Sequence, residues 1–370
     1  MTEMLKENGT TSIIKIQLKL ERNNQNNFSL DVDVSLSVPG VIGVFGESGS
    51  GKTTFLRSLA GLQNLPSAVI NFNDEVWQND QIFVPTHKRS IGYVFQEDGL
   101  LPHLTAKENI EYAIRRQKKA LEKGLYEKVL SILNIESLLG VFPDRLSGGE
   151  RQRVSIARSL LQQPRILLMD EPLASLDERR KREILPYLER ISKHFVIPIL
   201  YVSHSVEEIA RLADHVLVFK QGRIFEEGPP NSVFANENSL IGLSDEVGVV
   251  FDGDISAWDE SWELSTVTTG CGDLFIPKAG KLVGAKIRVR ILAKDVSLIE
   301  TPQSQSSILN QLPAQVVELS KDQNTAMRLV RVRVKSEQIV ARISRKSIEQ
   351  LNIVPGKSLW VQIKAAAVLN

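Results

Sequence analysis

VIGVFGESGSGKTT, residues 41–54, is the stretch on which the fold turns. Its first five residues are a short apolar run, the pattern of a central strand buried on both faces. The next eight, Gly46-Glu47-Ser48-Gly49-Ser50-Gly51-Lys52-Thr53, fit G-x-x-x-x-G-K-[ST] between that strand and a helical stretch. Glycines let the backbone curl so that successive N–H groups point inward at phosphate oxygens. The N-terminal end of the following helix adds partial positive charge where the anion would sit. Lys52 brings a mobile cation to the β- and γ-phosphates, the Thr53 hydroxyl can ligate Mg²⁺, and Thr54 completes the cradle. The bland alternative is a Gly-Ser loop before an unrelated helix; the strand–loop–helix setting favours ATP binding.

On the N-terminal side, Ile14, Ile16, Leu18 and Leu20 alternate with Lys15, Gln17 and Lys19, as in a half-buried strand. After an Asn-rich turn, Phe28, Leu30, Val32, Val34, Leu36 and Val38 alternate with polar residues and predict an antiparallel return strand. On the C-terminal side, apolar runs at 166–169, 197–202 and 215–219 interleave with amphipathic stretches at 52–62, 106–118, 148–161, 178–193 and 206–212. This alternation predicts an α/β domain with an open, mostly parallel sheet and helices on both sides. The Pro-, Asn- and Ser-rich stretch 228–240 reads as a domain exit. Beyond it the texture is all-β, with short strands at 286–291, 314–318, 329–335, 339–343 and 358–364, and a second linker at 301–307. The expected division is residues 1–235 as the nucleotide-binding domain, with a helical subdomain at about 97–160. A β-rich linker region then covers 236–303 and a β-barrel 304–370.

Composition excludes little but is consistent. The 370 residues allow more than one domain, and 42% hydrophobic with 24% charged residues suits a soluble globular chain. A net charge of +1 gives no electrostatic argument for nucleic acid or for an anionic membrane. The single cysteine, Cys271, cannot form an intramolecular disulfide, which agrees with a reducing compartment. No run approaches the roughly 18–20 apolar residues that span a bilayer, so a membrane role requires something else to hold the chain there.

Two further clusters carry chemistry. RILLMDE, residues 165–171, is an apolar strand ending in Asp170 and Glu171. Asp170 there can hold Mg²⁺, and Glu171 can orient and deprotonate a water, because adjacent side chains diverge as a strand ends. The competing reading is a helix N-cap, since Asp-Glu-Pro also starts helices. LSGGERQR, residues 146–153, opens a helix just before that strand. Ser147 is a natural N-cap, but two consecutive glycines weaken a helix start unless something must approach the backbone closely. The N–H groups of Gly148 and Gly149, with the Ser147 hydroxyl, make a second anion site.

With that stretch the chain resembles the ABC ATPases, whose signature motif LSGGERQR matches. The rest of the family's pattern follows in order. Gln96 in YVFQEDGLLPHLT matches the glutamine loop, which touches Mg²⁺ and the transport partner. Asp177 in ASLD matches the D-loop, and His204 in YVSHS matches the switch histidine that meets the γ-phosphate. Read alone, a histidine in the place of His204 is more often a structural strand-end residue than a ligand. The resemblance covers about residues 13–235 and implies a head-to-tail homodimer, each ATP lying between the Lys52 loop of one copy and the Ser147 helix of the other. It also implies an aromatic stacked on adenine; Phe28 is the nearest candidate, although its alternation suits a core strand as well.

The segments DGLLPHLTAKENI and DEPLASLDERRKREILPYLERI resemble the importer branch, which implies permease subunits, an extracytoplasmic solute-binding protein and a place on the cytoplasmic face of the membrane. Residues 306–316 and 358–368 resemble the two ends of an OB-like barrel of the Mop/TOBE type that follows the ATPase domain in molybdate importers, and 291–298 resembles the segment that precedes it. Ser307, Asn310 and Lys364 are the candidate oxyanion ligands for molybdate or tungstate. Leu309 and Ala366 stand where that branch often has Arg and Ser, so a barrel that only stabilises the dimer is an open alternative. Importers of sulfate, tungstate, a metal or a polyamine, and ABC ATPases without a permease, are the rival readings.

Overall fold

A computed structural model describes residues 12–21, 28–38, 40–117, 119–236, 246–277, 282–320, 326–364 and 366–369. The chain falls into two compact units, Met1–Glu227 and Gly228–Asn370. The first is built on a sheet with ten strands among the described residues: β1 (Ser12–Leu20), β2 (Leu30–Val38), β3 (Val41–Gly46), β4 (Val69–Phe72), β5 (Glu75–Gln78), β6 (Ile91–Val94), β7 (Ile166–Asp170), β8 (Ile199–Ser203), β9 (His215–Lys220) and β10 (Arg223–Gly228). Their order is β5-β4-β1-β2-β10-β9-β3-β8-β7-β6. β3 lies parallel to β8 and β9, and β7 lies parallel to β6 and β8. β1 runs antiparallel to β2 and β4, which makes the far half of the sheet antiparallel.

Both faces of β3 are covered, as its apolar run requires. Ile42 and Val44 share a core with Phe55, Leu56 and Leu59 of α1 (Lys52–Ala60). On the opposite face, a Cβ at Gly43 would stand 2.9 Å from Ala213 Cβ and 3.0 Å from Ile209 of α6 (Val206–Leu212). The helix therefore seats directly on bare backbone. The C-terminal ends of β3, β7 and β8 lie side by side, the place where open α/β sheets bind ligands.

Between β6 and β7 lie α2 (Ala106–Ile114), α3 (Leu125–Leu133) and α4 (Gly148–Leu160); α5 (Glu178–His194) follows β7. The α2 start is a capping box formed by Thr105 and Glu108. Buried Asn109 donates to the carbonyls of Leu101, Leu104 and Thr105 and accepts from Leu101 N–H, fixing the preceding loop to α2.

Among the described residues the second unit holds two five-stranded sheets. The first contains β11 (Gly248–Asp259), β12 (Leu264–Thr269), β13 (Gly272–Pro277) and β14 (Lys286–Leu292). The second contains β15 (Val296–Ile299), β16 (Asn310–Leu319), β17 (Met327–Val334), β18 (Glu337–Ser344) and β19 (Ser358–Ile363); the last strand, β20 (Ala367–Leu369), returns to pair with β14. The orders are β13-β12-β11-β14-β20 and β15-β19-β16-β17-β18, and the strand pairings run antiparallel. One apolar core serves both sheets, including Val249, Val289, Val316, Val332 and Val361. β15 pairs with β19 while β20 pairs with β14, so strands cross the boundary expected near residue 303 in both directions.

Candidate nucleotide site

Gly49 and Gly51 adopt φ of 78° and 108°, a region that residues with a Cβ disfavour. At Gly51 the reason is also steric: an added Cβ would lie 2.9 Å from Phe28 Cζ and 3.0 Å from Leu30 Cδ1. Phe28 is thus half-buried, packed on the sheet core and against the loop at once. Lys52 is only 4% exposed, and its Nζ donates to the Gly46 and Glu47 carbonyls, each at 2.8 Å. Burial lowers its pKa, while Glu171, Asp170 and Glu47 act in the opposite direction. Ser50 Oγ is buried and lacks a hydrogen-bond partner among the described residues. A bare glycine curl, a buried ammonium and an unsatisfied hydroxyl suit a polyanion that brings its own acceptors.

All five residues of β7 are buried, and the strand ends at Asp170. Thr53 Oγ1 donates to Asp170 Oδ1 at 3.1 Å, and Tyr93 OH donates to Oδ2 at 3.0 Å. Burial raises the Asp170 carboxyl pKa, with the Tyr93 and Thr53 hydrogen bonds pulling it down. A hydroxyl and a carboxylate oxygen this close are a hard-oxygen donor pair of the kind Mg²⁺ takes, and the residues present fit that ion.

Glu171 adopts φ of 45°, a left-handed backbone unusual for a residue with a side chain. Its carboxylate meets Lys52 and His204. Oε1 lies 3.8 Å from Lys52 Nζ and Oε2 lies 3.1 Å from His204 Nδ1. The acidic pair does not cap a helix: α5 is capped by Asp177, which accepts from Arg180 N–H at 2.9 Å. His204, directly after β8, is exposed apart from that contact with Glu171. Gln96 is exposed two residues beyond β6, and no hydrogen bond among the described residues joins it to Thr53 or Asp170.

Ser147 caps α4 in a reciprocal capping box: Glu150 N–H donates to its Oγ at 3.3 Å, and Ser147 N–H donates to Glu150 Oε2 at 2.7 Å. These hydrogen bonds hold the Glu150 carboxyl pKa below its ordinary value. A Cβ at Gly148 would meet Leu176 Cδ2 at 2.9 Å, and one at Gly149 would meet Ile184 Cδ1 at 3.2 Å. Within the chain, the residue before Asp177 and α5 both come close to these glycines. Ser147, Gly149 and Asp177 share a cavity of about 670 Å³ with Arg153, Arg180 and Tyr187. No hydrogen bond or ion pair among the described residues joins the 46–54 loop to residues 147–149.

In the second unit, Asn310 is buried and its amide is engaged in both directions: Nδ2 donates to Phe275 O at 2.9 Å and Oδ1 accepts from Phe275 N–H at 2.7 Å. It staples β16 to β13. Ser307 and Lys364 are exposed. Sequence reasoning did not find Tyr93 as the partner of Asp170, because its partner lies 77 positions away and no local spacing marks the pair.

A family model described as ABC transporter matches residues 30–174, and a TOBE domain model matches residues 306–369. The molybdenum import ATP-binding protein ModC of Methylococcus capsulatus is 47% identical over 343 residues, covering 93% of this chain and 96% of that protein. The chain belongs to the ModC family. The ModC protein of Thiobacillus denitrificans is also 47% identical over 343 residues, covering 93% of this chain and 95% of that protein. The ModC-family chain is thus an ABC ATPase domain followed by an all-β, TOBE-type region. Among solved structures, cbiO1 of Clostridium perfringens, part of the ABC transporter complex cbiONQ, aligns with a TM-score of 0.54 at 26% identity, covering 61% of this chain and 92% of that one. The dimeric bacterial ABC transporter cassette MJ0796 aligns at 0.51 and 26% identity, covering 59% and 98%. A dimer of that cassette in a post-hydrolysis state holds ADP and Pi.

Proposed function

We propose that this chain is the ATP-hydrolysing subunit of a molybdate importer, in which two copies enclose ATP between the Gly46–Thr54 loop of one and the Ser147–Gly149 helix start of the other. The observation that carries the chemistry is the Glu171 carboxylate, seated between Lys52 and His204 at the mouth of the loop. On nucleotide binding, Lys52 Nζ exchanges its two loop carbonyls for β- and γ-phosphate oxygens, and Ser50 Oγ gains an acceptor. Thr53 and Asp170, with Gln96 brought in, would hold Mg²⁺, which would supply positive charge to offset that of the phosphates. Glu171 orients a water in line with the γ-phosphorus and takes its proton as the new P–O bond forms and the bond to the β–γ bridging oxygen breaks. His204 donates to the γ-phosphate. Ser147, Gly148 and Gly149 of the second copy stabilise the same charge from across the interface, where Asp177 also lies. Phe28, already beside the loop, offers a face for adenine.

Among the described residues no helix is long and apolar enough to cross a membrane. Permease subunits hold the ATPase at the cytoplasmic face, and an extracytoplasmic solute-binding protein delivers the cargo. Residues 1–235 act as the ATPase domain, and 236–303 with 304–370 as the β-rich accessory part. Engagement of the Asn310 amide with Phe275 favours a scaffolding role for that part; Ser307 and Lys364 remain as its oxyanion candidates.

Reconstitution with permease and binding protein in vesicles tests the reading. Molybdate-loaded binding protein should stimulate ATP hydrolysis by the wild type. Glu171→Gln should retain ATP while its turnover falls roughly 10²–10⁴-fold. Near-normal hydrolysis by that variant removes Glu171 as the base, and stimulation by sulfate or a polyamine but not molybdate reassigns the cargo.

A further inference from the structure

Behind the His204 turn lies a buried polar cluster that the proposed chemistry does not use. Glu208, on α6, is 4% exposed. Its Oε2 accepts from Tyr201 OH and from Ser203 Oγ, both at 2.8 Å, and its Oε1 lies 3.4 Å from Lys181 Nζ. Burial of a carboxylate is costly unless it is paired and hydrogen-bonded, and here both oxygens are engaged. Tyr201 is fully buried, and burial together with Glu208 holds its phenol protonated as a permanent donor.

The cluster differs from an ordinary helix start. Ser205 caps α6, accepting from Glu208 N–H at 3.3 Å, so Glu208 is the residue whose carboxylate would usually reach back to the cap N–H. Ser203 Oγ takes that N–H instead, at 3.0 Å, and the Glu208 carboxylate holds Ser203. The residues on both sides of His204 are thus fixed by one buried group. Lys181 lies in the first turns of α5, which begins at the Asp177 cap, so the same carboxylate also reaches the helix that follows the ASLD stretch.

We infer that Glu208 is a positioning residue for ATP hydrolysis: it holds the Ser203–Ser205 turn so that the His204 imidazole stays against Glu171, and through Lys181 it ties that turn to α5. This rests on the proposed roles of Glu171 and His204. A fully satisfied buried network of this kind rigidifies what it holds, and displacement of a reacting group by about 1 Å can cost on the order of 10²-fold in rate.

The test is steady-state ATP hydrolysis by the full-length wild type, Glu208→Gln, His204→Ala and the double variant, with melting temperatures alongside. Glu208→Gln should lower kcat by roughly 10–100-fold while KM for ATP stays within about 3-fold, and the double variant should be no slower than His204→Ala alone. Wild-type kcat in Glu208→Gln, or an equal further loss on top of His204→Ala, overturns the inference. Wild-type turnover in His204→Ala instead overturns the reading beneath it. Should Glu208→Gln not fold, Lys181→Met addresses the same carboxylate from its more accessible side. Its loss in kcat must also vanish in the His204→Ala background, and an independent loss rejects the link.

Discussion

Asp170 and Glu171 are adjacent in sequence yet live under opposite constraints. Asp170 is buried, and burial raises its carboxyl pKa above the ordinary value. In the nucleotide-free protein at neutral pH its charged form therefore opposes folding, and the penalty disappears as pH falls through the raised native value. Asp170→Asn should abolish hydrolysis yet melt a few degrees above the wild type at pH 7, and the gap should narrow as the pH is lowered towards the carboxylate range. Scanning calorimetry across pH checks this; a variant that melts lower at pH 7 contradicts it. Glu171 carries a different burden, a left-handed backbone that costs roughly 1–2 kcal/mol in an L-residue. The sequence located both carboxylates but left a helix cap as an alternative. Chain direction after β7 decides the matter, because the cap is Asp177, six positions further on. Tyr93 was illegible for a related reason: alternation fixes the face a strand residue occupies, not its partner on a neighbouring strand.

At the scale of elements, periodicity carried most of the first unit. Strands β1–β3 and β7–β9, and helices α1, α2, α4, α5 and α6, follow from apolar runs, alternation and caps. β11, β12 and β13 were not anticipated, although Leu274 and Ile276 are buried while Asp273 and Phe275 between and before them are exposed. Short alternations of this kind resemble coil when Gly, Asp and Thr dominate, and tertiary pairing decides them. The α4 start shows a subtler gap. Its glycines were read as room for an approaching group, and the structure supplies Leu176 and Ile184. Gly148→Ala should lose about 1 kcal/mol of stability, overpacking against Leu176 exceeding the gain in helix propensity. Leu176→Val should restore most of it in the double variant, as denaturant titration would read. If stability returns but hydrolysis does not, the bare backbone at 148 also serves the nucleotide of the second copy.

For the whole molecule, the order of the strands places the loop after β3, the acids after β7 and the histidine after β8 at one edge of one sheet. That convergence was legible because each motif follows an apolar strand. The architecture of the second unit was less so, since its last strand, β20, returns to the first sheet and a linear segmentation does not express such a return. The Ser147 helix start makes no hydrogen bond with the phosphate loop of the same chain among the described residues, as the proposed shared site requires. The structure of full-length Glu171→Gln solved with ATP and Mg²⁺ examines this directly. The account predicts a two-fold dimer in which each triphosphate touches Lys52 of one copy and the Ser147 hydroxyl and Gly149 N–H of the other. A triphosphate enclosed by one chain, with Ser147 of the second copy remote from it, would contradict the account.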